Sequence, residues 1–436
     1  MIISDKNFLV LGFSKSGKSS AKLIKKHGGN VYYFDDVIVD VNYKKISALE
    51  NIKDLYCVIK SPGFPETHCI FLEIIEKRFP IISEIELGFY LCRAPLVAVT
   101  GTNGKTTTVT LLHKILSDFK FQSRLLGNIG TAFCEMADEL SYSDCVTLEV
   151  SSFQLDYIIN FKPHIAALLN ISPDHLDRHK TMKNYIDAKM NIFKNMENTE
   201  YVVLNYDSQI LQKYSERIRA QIYWFSMTKK IEKGCCIEGG DIVFLDKGKE
   251  TICRLDDIKI LGKHNVENTL CAITCAKLMN VSNRSIQKSV SEFMGLAHRI
   301  ELIRTLNGVS FYNDSKGTNI DCTITAARAM DKKTAIILGG SSKGLNYDAL
   351  FNNFPANIVH CFICGETANN MASAAKRSGY LQFSICENLQ DAVIAAYKFM
   401  GNFGNVLLSP AAASFDAFKN YDEKGQFFKG IVDRLV

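Results

Sequence analysis

Val99-Thr100-Gly101-Thr102-Asn103-Gly104-Lys105-Thr106 is the stretch whose reading decides the fold. It lies between an apolar run, Leu96 to Thr100, and a helical pattern from Lys105 to about Ser117, so it reads as strand, glycine loop and helix. A loop of this kind curls its backbone N–H groups around a phosphate, and the following helix adds its positive end. Lys105 would reach the β- and γ-phosphates of a nucleotide, and the Thr106 hydroxyl a metal ion. The bland alternative is an ordinary glycine turn before a helix.

An earlier stretch competes for the same role. Gly12-Phe13-Ser14-Lys15-Ser16-Gly17-Lys18-Ser19 fits the pattern G-x-x-x-x-G-K-[ST] fully, whereas the later loop has Val99 in the first glycine position. Context favours the later loop. Downstream of it come Glu149, at the end of an apolar strand, then Ser151, His175 and Lys189, while no magnesium carboxylate follows the first loop on a neighbouring strand. Glu149 and Ser151 offer the oxygen ligands that a hard cation takes. Asp174-His175-Leu176-Asp177-Arg178-His179 places five ionisable side chains in six positions, a density unusual for a purely structural turn. Lys189, read alone, is a solvated helix lysine. The first loop is either a simple turn or a seat for the diphosphate or nucleotide part of a substrate.

The chain has 436 residues, long for one core, so two or three domains are expected. No secretory pattern opens the sequence and no apolar run approaches the roughly 18 to 20 residues that cross a bilayer, which predicts a cytoplasmic protein with no membrane contact. In that compartment its 14 cysteines are expected as reduced, mostly buried thiols. Cys361 and Cys364 form a C-x-x-C inside an apolar run, where strand packing is the expected role rather than metal or redox chemistry. The formal charge of +5 is spread along the chain without a basic stripe, which argues against nucleic acid and is compatible with phosphate-bearing small substrates.

Restarts of strand-loop-helix patterning divide the chain. The first unit runs from strand Asn7–Gly12 through a helix at Ser19–Lys26 to strand Val31–Phe34, closed by Asp35 in the position of a dinucleotide-fold acid. A second unit starts after Pro95, with strands at Cys145–Val150, Ile165–Asn170 and Tyr201–Asn205, then short strand-and-turn segments and a helix at Val266–Met279. A third has strands at Thr334–Leu338, Ile358–Cys364 and Val406–Ser409 and helices at Asp321–Met330, Asn388–Met400 and Ser414–Asn420. The expectation is three α/β domains, 1–93, 94–295 and 296–436, with mainly parallel sheets whose ligands sit beyond the strands' carboxyl ends.

Taken in order, Ser61-Pro-Gly63, the loop 101–106, Gly127-Asn-Ile-Gly130, Glu149-Val-Ser-Ser-Phe-Gln154, Asp174-His175, His264-Asn265-x-x-Asn268, His298-Arg299, Asn313-Asp-Ser-Lys316 and Ser409-Pro-Ala-Ala-Ala-Ser414 resemble the Mur ligases, cytoplasmic ATP-dependent amide-forming enzymes of peptidoglycan synthesis. The segments 313–319 and 409–416 look like those of the branch that adds D-glutamate, although Gly317 stands where that branch usually has Ala, Phe415 where it often has Leu, and Tyr421 where it has Phe.

The resemblance implies a Rossmann-like N-terminal domain for the UDP part of the substrate, a P-loop-type central ATPase domain, and a Rossmann-like C-terminal domain for the amino acid. It implies ATP contacts at Gly101, Thr102, Asn103, Gly104, Lys105, Thr106, Thr107, Asn268, Arg299 and Asp314. Contacts to UDP-N-acetylmuramoyl-L-alanine fall at Ser16, Gly17, Asp35, Ser61, Asn128 and His175, and contacts to D-glutamate at Lys316, Thr318, Ser414, Phe415 and Tyr421. Mg²⁺ would be held by Thr106, Glu149, Ser151, His175 and Lys189, the last as a carbamate, and the implied catalytic residues are Lys105, His175 and Lys189. His175 or a nearby acid would take the amine proton. The protein is read as a monomer whose ATP and amino-acid sites, on different domains, come together by closure.

Three rival readings stand beside this one. They are a related ligase adding another amino acid or acting on a folate, a nucleotide-gated binding protein, and a redox enzyme using the first loop for NAD. Ser14 and Lys18 disfavour the last.

Overall fold

A computed structural model describes every residue except Lys343 and, within the helix Leu176–His179, every side chain except that of Asp177. Asp177, counted above in the ionisable turn, therefore lies outside the described side chains.

The chain folds as two compact units. The first comprises Met1–Ile258 with Val266–Ser291, and the second Lys259–Asn265 with Glu292–Val436. The first unit holds two sheets. One is formed by β1 (Asn7–Leu11), β2 (Asn30–Phe34), β3 (Lys44–Lys45), β4 (Leu55–Lys60) and β5 (Ile81–Ser83), in the order β3-β2-β1-β4-β5 and parallel throughout. The other contains β6 (Leu96–Thr100), β7 (Gln122–Gly127), β8 (Asp144–Glu149), β9 (Ile165–Leu168), β10 (Tyr201–Asn205), β11 (Gln221–Ser226), β12 (Gly234–Glu238), β13 (Asp241–Leu245) and β14 (Lys249–Arg254), in the order β14-β13-β12-β11-β10-β9-β6-β8-β7. Only β13 runs antiparallel to its neighbours.

In the second unit β15 (Glu301–Leu306), β16 (Val309–Asn313), β17 (Thr334–Leu338), β18 (Ile358–Ile363), β19 (Phe383–Ile385) and β20 (Gly404–Leu408) form a sheet ordered β15-β16-β20-β17-β18-β19. Its one antiparallel pair is the hairpin β15–β16.

Every residue of β6, β8 and β9 is buried. This is what continuous apolar runs without polar alternation dictate for parallel strands covered on both faces. The strand order reverses around β6, which has β8 on one side and β9 on the other, so the chain leaves β6 at a switch point where the crevice for a ligand opens.

The helix after β1 starts at Lys15, four residues before the expected Ser19. Gly17 makes that early start possible, because a Cβ there would lie 2.0 Å from the carbonyl oxygen of Gly12. The cysteines are all unpaired. Cys361 and Cys364 pack into separate cores on the two faces of the third sheet, as period-two alternation requires.

One expected helix is absent. Residues 414–420 form turns, because Ala411 adopts φ +55° and the backbone of Ala413 is drawn into a bridge with Ser341, whose hydroxyl accepts from the Phe415 N–H. Asn420 then caps the helix Tyr421–Arg434 with its side chain, accepting from Glu423 N–H, and its extended backbone marks the true helix start.

The helix Glu84–Leu91 ties the first sheet to the second through two buried carboxylates. Glu86 accepts from the backbone N–H groups of Ile159, Asn160 and Phe161 at 2.8–3.0 Å. Glu84 accepts from Cys134 N–H at 2.6 Å, and burial pushes its pKa up to about 7. Truncating Glu86 removes the shared acceptor of three donors, so Glu86→Ala is expected to lower stability by about 2 kcal/mol, read as a reduced urea midpoint, with Glu86→Gln falling between it and the parent.

Candidate active site

The loop after β6 is held from several sides. Gly104 has φ +84° and caps the helix Lys105–Asp118, and a Cβ at Gly104 would lie 2.1 Å from Asn268 Oδ1, so only glycine lets the Asn268 amide sit against the loop. Asn170, just past β9, accepts from Asn103 N–H at 2.9 Å and donates to the Asn103 carbonyl at 3.2 Å. The Thr102 hydroxyl meets Tyr185 Oη at 3.0 Å and donates to the Ser172 carbonyl. Sequence reasoning missed Asn170 and Tyr185 as loop supports. A polar residue at the end of the strand beside β6 was the available signal for Asn170, whereas nothing local marks Tyr185.

Two ammonium groups converge on this loop. Lys105 Nζ donates to the carbonyls of Gly101 and Thr102 at 2.7 and 2.8 Å, and Lys189 Nζ donates to the same Gly101 carbonyl at 2.9 Å. Lys189 is 2% exposed and lies against the Tyr185 ring. Desolvation, then the charge of Lys105, lowers its pKa to about 7 against the partial support of Asp174. The bland reading of Lys189 as a solvated helix lysine is thereby overturned.

Glu149 ends β8 and is 2% exposed. Its Oε1 accepts from the Asn128 amide at 2.8 Å, while Oε2 is buried with no hydrogen-bond partner. Such an oxygen is costly unless a donor or cation meets it. Ser151 caps the short helix Ser152–Leu155 by accepting from Gln154 N–H. Thr106 and Thr107 are half-buried in the first turn of the helix after the loop.

His175 stands in the left-handed region at φ +52°, with its ring 4.9 Å from that of Phe153 and 3.4 Å from Asp174. Among the described residues no three His, Cys, Asp or Glu side chains gather as a metal centre. The donor set suits a cation that accepts one carboxylate with hydroxyls, carbonyls and water, which is the habit of Mg²⁺.

The loop after β1 is built differently. Lys18 turns outward to Asp40 at 3.4 Å, so the lysine of the better pattern match does not face its own loop. Ser61, at the end of β4, donates to the Gly12 carbonyl at 2.7 Å, and the Ser16 carbonyl accepts from the hydroxyls of Ser19 and Ser20. Asp35 accepts from the N–H groups of Phe13, Val37 and Ile38, and although burial pushes its pKa up, these donors hold it below the usual carboxylate range. Lys15 donates to the Gly130 carbonyl, linking this loop to the 127–130 turn that carries Asn128.

In the second unit, Asp314 is buried and accepts from Ser409 Oγ at 2.7 Å. Burial raises its pKa to about 7, against the Ser409 hydrogen bond and the charge of Arg299. Lys316 Nζ lies 5.2 Å from the Tyr421 ring, and Thr318 N–H donates to the Lys316 carbonyl. Ser414 is 2% exposed and its hydroxyl has no hydrogen-bond partner, whereas Phe415 is 73% exposed.

The family description Mur ligase middle domain matches residues 99–276, which span β6, the glycine loop, Glu149 and Lys189. Over its full length the chain is 38% identical to the UDP-N-acetylmuramoylalanine–D-glutamate ligase of Alkaliphilus oremlandii, with 100% of each chain covered. The chain belongs to the Mur ligase family. A second Mur ligase of the same name, from Lachnoclostridium phytofermentans, is 37% identical over 99% of this chain and 98% of that one. The fold is shared with MurF ligase from Thermotoga maritima, solved in complex with ADP, at a TM-score of 0.59 and 14% identity, covering 99% of this chain and 96% of that one.

A lysine whose folded pKa is depressed binds fewer protons in the native state than in the unfolded chain, so the cost of its burial is full at low pH and relieved as pH rises. The window for Lys189 runs from about 7 to the ordinary 10.5. In CO₂-free buffer without nucleotide, stability should rise with pH across this window, and Lys189→Met should flatten the rise in urea denaturation series.

Proposed function

We propose that the chain is the ligase that couples ATP to the joining of D-glutamate to UDP-N-acetylmuramoyl-L-alanine, acting as a cytoplasmic monomer in peptidoglycan precursor synthesis. The observation that carries this reading is the meeting of two ammonium groups on the Gly101 carbonyl at the mouth of a glycine loop, an arrangement that an incoming polyphosphate would relieve. The full-length likeness to ligases of that name supports the choice of substrates.

The domain roles we propose are 1–93 for the UDP moiety, 94–295 for ATP and 296–436 for the amino acid, in keeping with one sheet in each segment. In the first, Ser16, Gly17, Asp35 and Ser61 receive the UDP group, with Asn128 and His175 reaching the same substrate. In the second, Gly101, Thr102, Asn103 and Gly104 wrap the phosphates with Thr107 and Asn268 alongside. Arg299 and Asp314 are proposed for the nucleotide as well. D-Glutamate has two carboxylates, and Lys316 with the hydroxyls of Thr318 and Ser414 supplies a cation and donors for them, flanked by Phe415 and Tyr421.

In the chemical step an oxygen of the alanine carboxylate attacks the γ-phosphorus of ATP. The bond to the bridging oxygen breaks, ADP departs, and an acyl phosphate remains. Lys105 leaves the loop carbonyls and follows the transferring phosphoryl group, spreading its charge. The D-glutamate amine then attacks the acyl carbon, the carbon–oxygen bond to phosphate breaks, and His175 or a nearby acid accepts the amine proton. Thr106, Glu149, Ser151, His175 and Lys189 would hold Mg²⁺, which supplies charge neutralisation on the phosphates. Lys189, with a pKa near 7, is largely unprotonated at neutral pH, the form that adds CO₂ to become an anionic carbamate.

Lys105→Ala should lower kcat about a thousandfold with the fold intact. Phosphate release should require all of ATP, the UDP-sugar and D-glutamate, and turnover of ATP with either partner omitted would favour a nucleotide-gated binding protein instead. Intact-mass spectrometry under native conditions should show a bicarbonate-dependent gain of one CO₂ in the parent and none in Lys189→Met.

A further inference from the structure

A cluster of ionisable groups lies behind the Ser61-Pro62-Gly63 segment and has no part in the chemistry above. Lys60, the last residue of β4, has a side chain 1% exposed, and its Nζ makes no aligned hydrogen bond. It sits 3.3 Å from Glu66 Oε1 and over the Tyr157 ring at 5.2 Å. The same Glu66 oxygen lies 3.4 Å from Nη2 of Arg178. Nη1 of Arg178 donates to the Pro62 carbonyl.

Arg178 is gripped on its other face as well. Its guanidinium carbon is 4.0 Å from the centre of the Phe153 ring, which stacks on His179 and tilts against His175. The turn carrying His175 is strained at φ +52°, and the His175 carbonyl accepts from the N–H groups of Arg178 and His179. A conformation of this kind persists only where its surroundings over-determine it. One carboxylate thus meets two cations, one anchored in the first sheet and one in the strained turn, and the second cation also fixes the carbonyl between Ser61 and Gly63.

We propose that Glu66 is a positioning residue, which by bridging Lys60 and Arg178 locks the Ser61-Pro62-Gly63 segment to the turn bearing His175. The proposal rests on the reading given above, in which that segment receives the UDP-substrate and His175 serves the same site. Without the carboxylate, the two cations face each other across a poorly solvated gap and move apart. Arg178 then lets go of both the Pro62 carbonyl and the Phe153 ring. The burial of Lys60, whose pKa is pushed down to about 8 by desolvation and then by the charge of Arg178, makes the loss of its counter-charge acute.

The test compares the full-length parent, Glu66→Gln, and the double variant Lys60→Met with Glu66→Gln, measuring kcat, each KM, the Mg²⁺ needed for half-maximal rate, and the thermal midpoint. The expected result for Glu66→Gln is a KM for UDP-N-acetylmuramoyl-L-alanine and a Mg²⁺ requirement each raised about tenfold, with the KM for D-glutamate unchanged. The double variant removes the buried unpaired ammonium, so its thermal midpoint should recover while the raised KM persists.

Unaltered constants in Glu66→Gln, an equal loss for all substrates, or a KM restored together with the midpoint would each overturn the proposal. A parent that turns over without the UDP-sugar would overturn the functional reading itself. A normal parent matched by Glu66→Gln would overturn only the positioning role.

Discussion

Two positive charges share one carbonyl oxygen at the start of the loop 101–104, and much of the molecule is arranged around that contact. Lys105 comes from the helix that the loop initiates and Lys189 from the separate helix Met182–Met190. In a region this dry their mutual repulsion is weakly screened, which is why the deeper of the two, Lys189, is held near neutrality. The loop carbonyl is a poor substitute for an anion. The arrangement favours a ligand that brings negative charge, and it leaves Lys189 as a nucleophilic amine rather than an inert ammonium.

The surrounding elements keep that loop in place. Asn170, Tyr185 and Asn268 approach it from three different segments of the first unit, so its shape does not depend on a phosphate being bound. Glu149 projects from the neighbouring strand with one oxygen fixed by Asn128 and the other unengaged. On the far side of the same unit, Glu84 and Glu86 fasten the first sheet's last helix to the second sheet's loops. Carboxylates accepting several backbone N–H groups recur here as the means of joining segments, at Asp35 and Glu86 most plainly.

The parts legible in the sequence were those set by local pattern. β6, β10 and β17 occupy the expected residues, because an apolar run between turn signals leaves a parallel strand little choice. The preference for the second glycine loop over the first rested on what followed each loop, and the outward turn of Lys18 agrees with it. The helix expected at Ser414–Asn420 failed because the backbone there answers to Ser341, far away in sequence, rather than to its own periodicity. Long-range partners also explain what was missed. The support of the loop by Tyr185, the clamp made by Glu86, and the pairing of Glu66 with Lys60 and Arg178 join residues about 70 to 110 positions apart or are set by contacts no spacing rule encodes. Lys189 illustrates the point most clearly, since an ordinary helix lysine by sequence becomes the most buried ammonium beside the loop once the sheet is assembled.

The claim that matters most is that phosphoryl transfer to a carboxylate precedes amide formation. It is tested by preparing UDP-N-acetylmuramoyl-L-alanine with heavy oxygen in the alanine carboxylate and analysing the inorganic phosphate released during turnover with ATP and D-glutamate. The account predicts one labelled oxygen in each phosphate, carried over when the acyl phosphate is cleaved. Phosphate free of label, formed alongside normal amide product, would contradict it.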